Sequence, residues 1–516
     1  MAGASRRRDD REKEQTKLEE DIREQLYRHE VGLKPFVFAT FGRLSYWIRK
    51  TIRLIIPLSV LIFLTFVQIL PDMRIQHMLA IFAFVALMWG LESVPLPVTA
   101  LSAPVLLVLY GIFGSDRSAV TEAFIPFADP VIYLMMGSLF MAEAFRKTGL
   151  DRRFLFFLAS KSRGNLRLLL LALMGSAGVL SMWITNTAAA AMLVPLAVAI
   201  AGKLKGLRAK RYGSILILGT GTAITAGGMA TIVGFSGNAI ATSFLSERIS
   251  WTFFDWMRVG VPMAVATILL TYLLLTRLIP RGEKVDLSWL DAEMKELGPL
   301  SSREKRLLVI FSATVLLWIL GGELATELGQ APEIASAAVI SLGSALFIFA
   351  TRTVEWEDAR SIPWEIFLII GAGLALGRGL LFTGAASSIA MGLGGFISSS
   401  VPAYLGPLPL ILFFVLIAVL LSSFLGSTAG AAIFIPIMIS MSDVLGIENI
   451  KLLVLPVALG VLTAFMTPTS SSPFILVYSS GFVGRREIFR TGSLLTIPSL
   501  LIVTVGVYIF VTMNLV

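Results

Sequence analysis

From Leu54 to Val511, apolar runs long enough to enter a lipid bilayer follow one another with short polar connections between them. That succession decides what the chain folds in, because such runs read as transmembrane helices. Composition agrees. Of 516 residues, 56% are hydrophobic and 15% charged, and the mean hydropathy is +0.82. Soluble domains carry roughly 25% charged residues, and a soluble chain of this size could not cover such an interior with so few. A soluble enzyme, a nucleic-acid binder and a disordered scaffold are all excluded. With no cysteine there are no disulfides, thiolate metal sites or cysteine nucleophiles. Histidine occurs only at His29 and His77, which leaves almost no histidine for metal or acid–base chemistry. No Walker motif is present, which argues against ATP-driven pumping.

The fold class expected is an all-α polytopic membrane protein, with about eleven transmembrane helices and two re-entrant hairpins. Spans are expected at 54–70, 77–91, 99–113, 131–159, 214–244, 261–278, 307–320, 334–350, 366–381, 452–480 and 494–511. Two longer uncharged stretches, 168–201 and 408–441, each carry a polar cluster at mid-length and are expected to enter the bilayer and return. With the N-terminus inside, this arrangement places the basic clusters Arg49 to Arg53, Arg146 to Arg167, Lys203 to Arg211, Arg277 to Lys284 and Arg485 to Arg490 on the cytoplasmic face. The C-terminus then lies outside the cell (inner) membrane. The net charge of +9 is thereby a signature of topology, and no nucleic-acid partner is implied. Residues 1–50 mix both charge signs densely and read as a solvated or surface-lying cytoplasmic segment, not a signal peptide.

The second half echoes the first. Ile81, Phe82 and Trp89 match Ile310, Phe311 and Trp318, and Ile132 through Gly137 resembles Ile366 through Gly371. Ser181 through Pro195 aligns with Ser422 through Pro436 without a gap. The expected organisation is therefore an extra first helix at 51–75, a first repeat at 76–279, a cytoplasmic linker at 280–306 and a second repeat at 307–516. An odd number of crossings per repeat inverts the second against the first, a signature of secondary transporters.

Polar groups inside apolar runs demand partners. Ser181 and Thr185-Asn186-Thr187 interrupt the first long stretch, and Ser422 and Gly426-Ser427-Thr428 the second. At a hairpin tip their oxygens could ligate a hard cation such as Na⁺, and the amides of a half-helix N-terminus could bind an anion. Gly227-Gly228-Met229-Ala230-Thr231 leading to Gly234-Phe235-Ser236-Gly237-Asn238, and Thr467 through Phe474 in the other half, mark two broken helices. These segments offer only neutral ligands, so an anion held there would need helix dipoles and co-bound cations. Glu92, Glu143 and Arg378 are ionisable groups in or near spans, and structural pairing is the expectation for them.

These residues resemble the divalent anion/sodium symporter family. Ser181-Met182-Trp183-Ile184-Thr185-Asn186-Thr187-Ala188 is similar to its hairpin signature, the segment 91–101 to the stretch before its third helix, and 227–240 to its first broken helix. The resemblance runs from His77 to the C-terminus. It implies a homodimer that moves dicarboxylates, citrate or sulfate, usually with Na⁺, by an elevator-type motion. It also implies no organic cofactor and no enzymatic activity. Ser181, Thr185, Asn186 and Gly234 would form one Na⁺ site; Ser422, Gly426, Ser427 and Ser470 would form a second. Asn186, Thr187, Ser427, Thr428, Ser236, Ser471, Ser472 and Pro473 would surround the substrate. The chain departs from the family at Gly426 and Ser427 (family Ser and Asn), at Phe235-Ser236-Gly237 (Thr-Pro-Pro) and at Ser471-Ser472-Pro473-Phe474 (Thr-Pro-Pro-Asn). An anion exchanger or H⁺-coupled carrier of the same fold is the alternative. A remote one is an intramembrane serine protease using Ser236 in its Gly-x-Ser-Gly context, although no histidine lies deep in a span to serve as base.

Overall fold

The computed structural model describes residues 46–204, 208–398 and 407–516. The chain divides into two units, Met1–Thr51 and Ile52–Val516, and every helix after the first lies wholly in the second. The surface-lying helix expected within 1–50 falls in a segment of which residues 1–45 lie outside the described residues.

Among the described residues the chain is helical throughout and contains no β-strand. After α1 (Tyr46–Phe66) the order runs α2 (Met73–Gly90), α3 (Leu96–Leu109), α4 (Arg117–Phe124), α5 (Pro130–Thr148), α6 (Leu150–Ser160), α7 (Leu166–Trp183), α8 (Asn186–Gly202), α9 (Ala209–Gly227), α10 (Ser236–Ser246) and α11 (Phe253–Thr276). After α12 (Ser288–Leu297) come α13 (Ser302–Glu327), α14 (Ala337–Ala350), α15 (Glu365–Thr383), α16 (Ala385–Ser398), α17 (Leu408–Leu425), α18 (Ser427–Val444), α19 (Lys451–Gly460), α20 (Ser472–Ser479) and α21 (Arg485–Thr512).

Local chemistry recurs along that order. Trp89, near the end of α2, donates from its indole to the carbonyl of Leu96, the first residue of α3, at 3.2 Å. Trp318 in α13 donates to the carbonyl of Ala337, the first residue of α14, at the same 3.2 Å. Helices α5 and α15 both end on a threonine followed by a left-handed glycine, Gly149 (φ 73°) and Gly384 (φ 74°). A side chain is disfavoured in that conformation, so glycine is the residue that turns the chain into the next helix.

Several expected spans prove to be two helices. The run 131–159 breaks at Gly149, 214–244 breaks between α9 and α10, and 452–480 breaks between α19 and α20. Among the described residues nine helices are long and apolar enough to cross a membrane. That figure does not count the expected spans: it includes three arms of the two long stretches, α7, α17 and α18, and leaves out shorter apolar helices such as α3 and α14. The two long stretches are each a helical hairpin, α7–α8 and α17–α18.

The hydrophilic stretch between the halves is structured. Leu166 N–H donates to the Glu283 carbonyl at 3.1 Å, and Val285 N–H to the Gly164 carbonyl at 2.8 Å. Within α12, Glu293 receives Arg152 at 2.6 Å, and the Trp289 ring lies 3.7 Å beneath the Lys203 ammonium. The segment is thus strapped to both roots of the first hairpin. Of the ionisable groups expected near spans, Glu143 pairs with Arg146 at 2.5 Å and Arg378 with Glu247 at 2.7 Å.

Helix α5 meets α14 without room for a side chain: a Cβ on Gly137 would stand 2.5 Å from the backbone of Ser341. Gly137→Ala is expected to destabilise by about 1–3 kcal/mol through overpacking. Gly343→Ala on α14, where a Cβ meets nothing within 4 Å, should be neutral or slightly stabilising through helix propensity. Thermal melting of the detergent-solubilised protein checks the pair, and equal melting points would contradict the packing.

Candidate functional site

The site is built where four helices start. In the first hairpin, Ile184 (φ −129°, ψ 157°) and Thr185 (φ −60°, ψ 147°) are extended, so helical bonding stops after α7 and restarts at Asn186. In the second, Gly426 adopts φ 85° between α17 and α18, a conformation that suits glycine. Each break frees backbone groups, and both hairpins satisfy them alike. Asn186 N–H donates to the Gly234 carbonyl at 2.9 Å, and Ser427 N–H to the Ser470 carbonyl at 2.8 Å. Gly234 and Ser470 lie in the gaps of the two broken helices, before α10 and α20.

The gaps return the contact. Thr231 donates its hydroxyl to the Met182 carbonyl, and Thr467 donates to the Ser423 carbonyl, the aligned position in the other hairpin. Phe235 and Ser471 are both extended just before α10 and α20. Contacts also cross between the halves. Thr187 of the first hairpin donates to the Ser472 hydroxyl at 3.0 Å, while Thr428 of the second lies 3.0 Å from the Ser236 hydroxyl. The hydroxyls of Thr225 and Ser471 approach to 3.5 Å. Both hairpin tips and both broken helices therefore meet in one cluster.

The first expected cation set is contiguous. Ser181, Thr185 and Asn186 are buried. The Asn186 amide is oriented by its neighbours. One end faces the Ser181 hydroxyl at 2.6 Å, the Ile224 carbonyl at 2.8 Å and the Gly234 carbonyl at 3.3 Å, which makes that end the nitrogen. Thr185 caps α8 by accepting from Ala188 N–H at 3.2 Å. Gly228 packs its Cα on the Asn186 amide, where a Cβ would fall 2.2 Å from the nearest amide atom. A Cβ on Gly234 would fall 2.7 Å from the Gly228 carbonyl oxygen and 2.9 Å from that of Ser181.

The second expected set is assembled differently. The Ser427 hydroxyl lies 2.8 Å from the Ser470 carbonyl and 3.0 Å from the Val461 carbonyl, either of which can accept its proton. Ser422 is buried with an unpaired hydroxyl, held over Gly430, where a Cβ would come within 1.9 Å of that oxygen. Ser471, Ser472 and the buried Pro473 open α20 beside Thr187. Sequence reasoning did not single out Thr225, Gly228 as the seat of Asn186, or the Val461 carbonyl. Thr225 lies inside α9 with no local signal, Gly228 was marked only as part of the helix break, and a carbonyl has no signature at all.

Electrostatically the cluster is neutral in side chains and positive in backbone. Helices α8, α10, α18 and α20 all begin at this cluster, and a helix N-terminus is the positive end of its dipole. Only α8 has a side-chain cap; α10, α18 and α20 have none. Among the described residues no group of three or more His, Cys, Asp or Glu stands together, so a cation in this cluster would be held by hydroxyl, amide and carbonyl oxygens.

The chain is similar to known proteins along most of its length. Residues 45–515 match the family model described as the sodium:sulfate symporter transmembrane region. An uncharacterised transporter of Haemophilus influenzae is 30% identical over 467 residues, spanning 89% of this chain and 96% of its own length. The sodium-dependent dicarboxylate transporter SdcS of Staphylococcus saprophyticus is 25% identical over 461 residues, covering 84% of this chain and 85% of its own. Among solved structures, MtrF of Neisseria gonorrhoeae, described as illuminating a class of antimetabolite efflux pumps, aligns over 88% of this chain and 97% of that one. Its TM-score is 0.52 at 14% identity, a likeness of fold alone.

Gly228→Ala is expected to displace the Asn186 amide and destabilise the protein by about 1–3 kcal/mol. Gly202→Ala at the far end of α8, where a Cβ meets nothing within 4 Å, serves as control. A shift in melting temperature for the first variant alone is the expected result.

Proposed function

The chain belongs to the sodium:sulfate symporter family, whose members are transporters and not enzymes, and from that premise we propose that it carries a small divalent anion across the cell (inner) membrane coupled to Na⁺. The cargo class is a dicarboxylate, a citrate-like anion or sulfate. The sodium-dependent dicarboxylate transporters among its relatives support the carboxylate and the cation.

The observation that carries the reading is the reciprocal cluster: Thr187 with Ser472 and Thr428 with Ser236, where α8, α10, α18 and α20 begin, the last three without a side-chain cap. Uncapped N–H groups and hydroxyls are what an anion's oxygens accept from. Asn186, Thr187, Ser236, Ser427, Thr428, Ser471, Ser472 and Pro473 are the residues we assign to it. Ser181, Thr185, Asn186 and Gly234 are assigned to the co-transported Na⁺, which offsets the anion's charge in a low-dielectric interior. Ser422, Gly426, Ser427 and Ser470 are the second cation set.

In this reading the repeats at 76–279 and 307–516, joined by the linker 280–306, are inverted, and the two hairpins enter from opposite faces with the N-terminus cytoplasmic. Helices α7 to α11 with α17 to α21 travel as a body past a scaffold of α2 to α5 and α13 to α15, in an elevator-type cycle within a homodimer. A second reading is an exchanger or H⁺-coupled carrier. It is favoured by the carbonyls that the cations would need: Ser470 lies within donating distance of the Ser427 hydroxyl, and Gly234 faces the nitrogen end of the Asn186 amide.

Proteoliposome uptake of labelled succinate, citrate and sulfate is the test. A Na⁺ gradient is expected to drive uptake of at least one, and Asn186→Ala to lower it at least tenfold. Wild-type uptake by that variant would remove the first hairpin from the site. Uptake indifferent to Na⁺ but sustained by counterflow would establish the exchanger.

A further inference from the structure

Between α9 and α10 the chain runs through eight buried residues, 228–235, that belong to no helix, the last α-helical bond of α9 being that of Gly228 N–H to the Ile224 carbonyl. Carbonyls in that gap have lost their usual partners in an interior that offers no water. Two of them, on Gly228 and Thr231, are claimed by one side chain. Asn238, fully buried in the first turn of α10, donates from Nδ2 to the Gly228 oxygen at 2.7 Å and to the Thr231 oxygen at 2.8 Å. Its own Oδ1 is buried with no partner. An amide turned the other way would press its oxygen against two carbonyls, so the orientation is set by the donors.

The two residues held this way lie in the part of the gap that faces the first hairpin. Gly228 seats the Asn186 amide, Thr231 donates to the Met182 carbonyl, and Gly234 accepts from Asn186 N–H. The other half does without the device. At the position of Asn238 stands Phe474, stacked on Phe465 with ring centroids 5.7 Å apart, and the Thr467 carbonyl is taken by the Ser470 hydroxyl at 2.8 Å.

We propose that Asn238 is a positioning residue for the first cation set: its two amide hydrogens hold the Gly228–Gly234 gap in the shape that presents Gly228 and Gly234 to Asn186. This rests on the cation-coupled reading. It acts through those backbone groups, with no contact to the cargo anion required. Loss of the donors should therefore weaken Na⁺ binding while leaving anion affinity at saturating Na⁺ little changed.

The isosteric Asn238→Asp keeps the shape and both heavy atoms but replaces the NH2 with an oxygen. The purified full-length protein is titrated with NaCl at constant ionic strength against choline chloride, and the Na⁺-dependent rise in melting temperature is followed. The half-saturating Na⁺ concentration is expected to rise at least tenfold in the variant. Asn238→Ser, which retains one donor, should fall between the two, and it decides the matter if the aspartate variant does not fold. A wild-type midpoint in either folded variant overturns the proposal. So does tighter Na⁺ binding in Asn238→Asp, which would make the orphan oxygen itself the ligand. A wild-type protein that Na⁺ does not stabilise at all overturns the cation-coupled reading instead, and this inference with it.

Discussion

A helix broken inside an apolar interior strands its N–H and C=O groups, and the whole centre of this protein is shaped by how those groups are repaired. Each hairpin tip gives an N–H to a carbonyl in a neighbouring gap, Asn186 to Gly234 and Ser427 to Ser470. Each gap answers with a threonine hydroxyl, Thr231 to Met182 and Thr467 to Ser423. A hairpin and its broken helix are therefore one hydrogen-bonded unit. The hydroxyls left over at the helix starts pair across the halves, Thr187 with Ser472 and Thr428 with Ser236.

The two units share this backbone logic and differ in side chains. Asn186 makes the first an amide-lined pocket with Gly228 beneath it, whereas Ser427 reaches only two carbonyls and Ser422 has none. The same divergence appears behind the gaps, an amide at Asn238 against a ring at Phe474. Backbone repair tolerates little change because an unpaired buried group is costly. The side chains around the breaks differ more freely, Asn186 against Ser427 and Asn238 against Phe474.

Much of this was legible in the residues. Uncharged runs with polar centres imposed hairpins, because Thr185-Asn186-Thr187 and Gly426-Ser427-Thr428 cannot lie against lipid. The matched tryptophans, Trp89 and Trp318, proved to hold equivalent helix junctions. The break at Gly149 was signalled by the charges around it, Arg146 and Lys147 before and Asp151, Arg152 and Arg153 after, and a reading that followed the apolar runs on to residue 159 passed over them. The order within 280–306 was hidden. Its polar composition resembles a loop, while its bonds to Gly164, Arg152 and Lys203 come from residues far away in sequence. Gly228 as a seat for Asn186 depends on three-dimensional proximity alone.

The crosswise hydroxyl pairs carry a further consequence. Thr187 meets Ser472, and Thr428 meets Ser236, so neither half of the chain contains a complete set of these partners. Removing either half would break both pairs at once, so the cluster exists only while the two halves stay together.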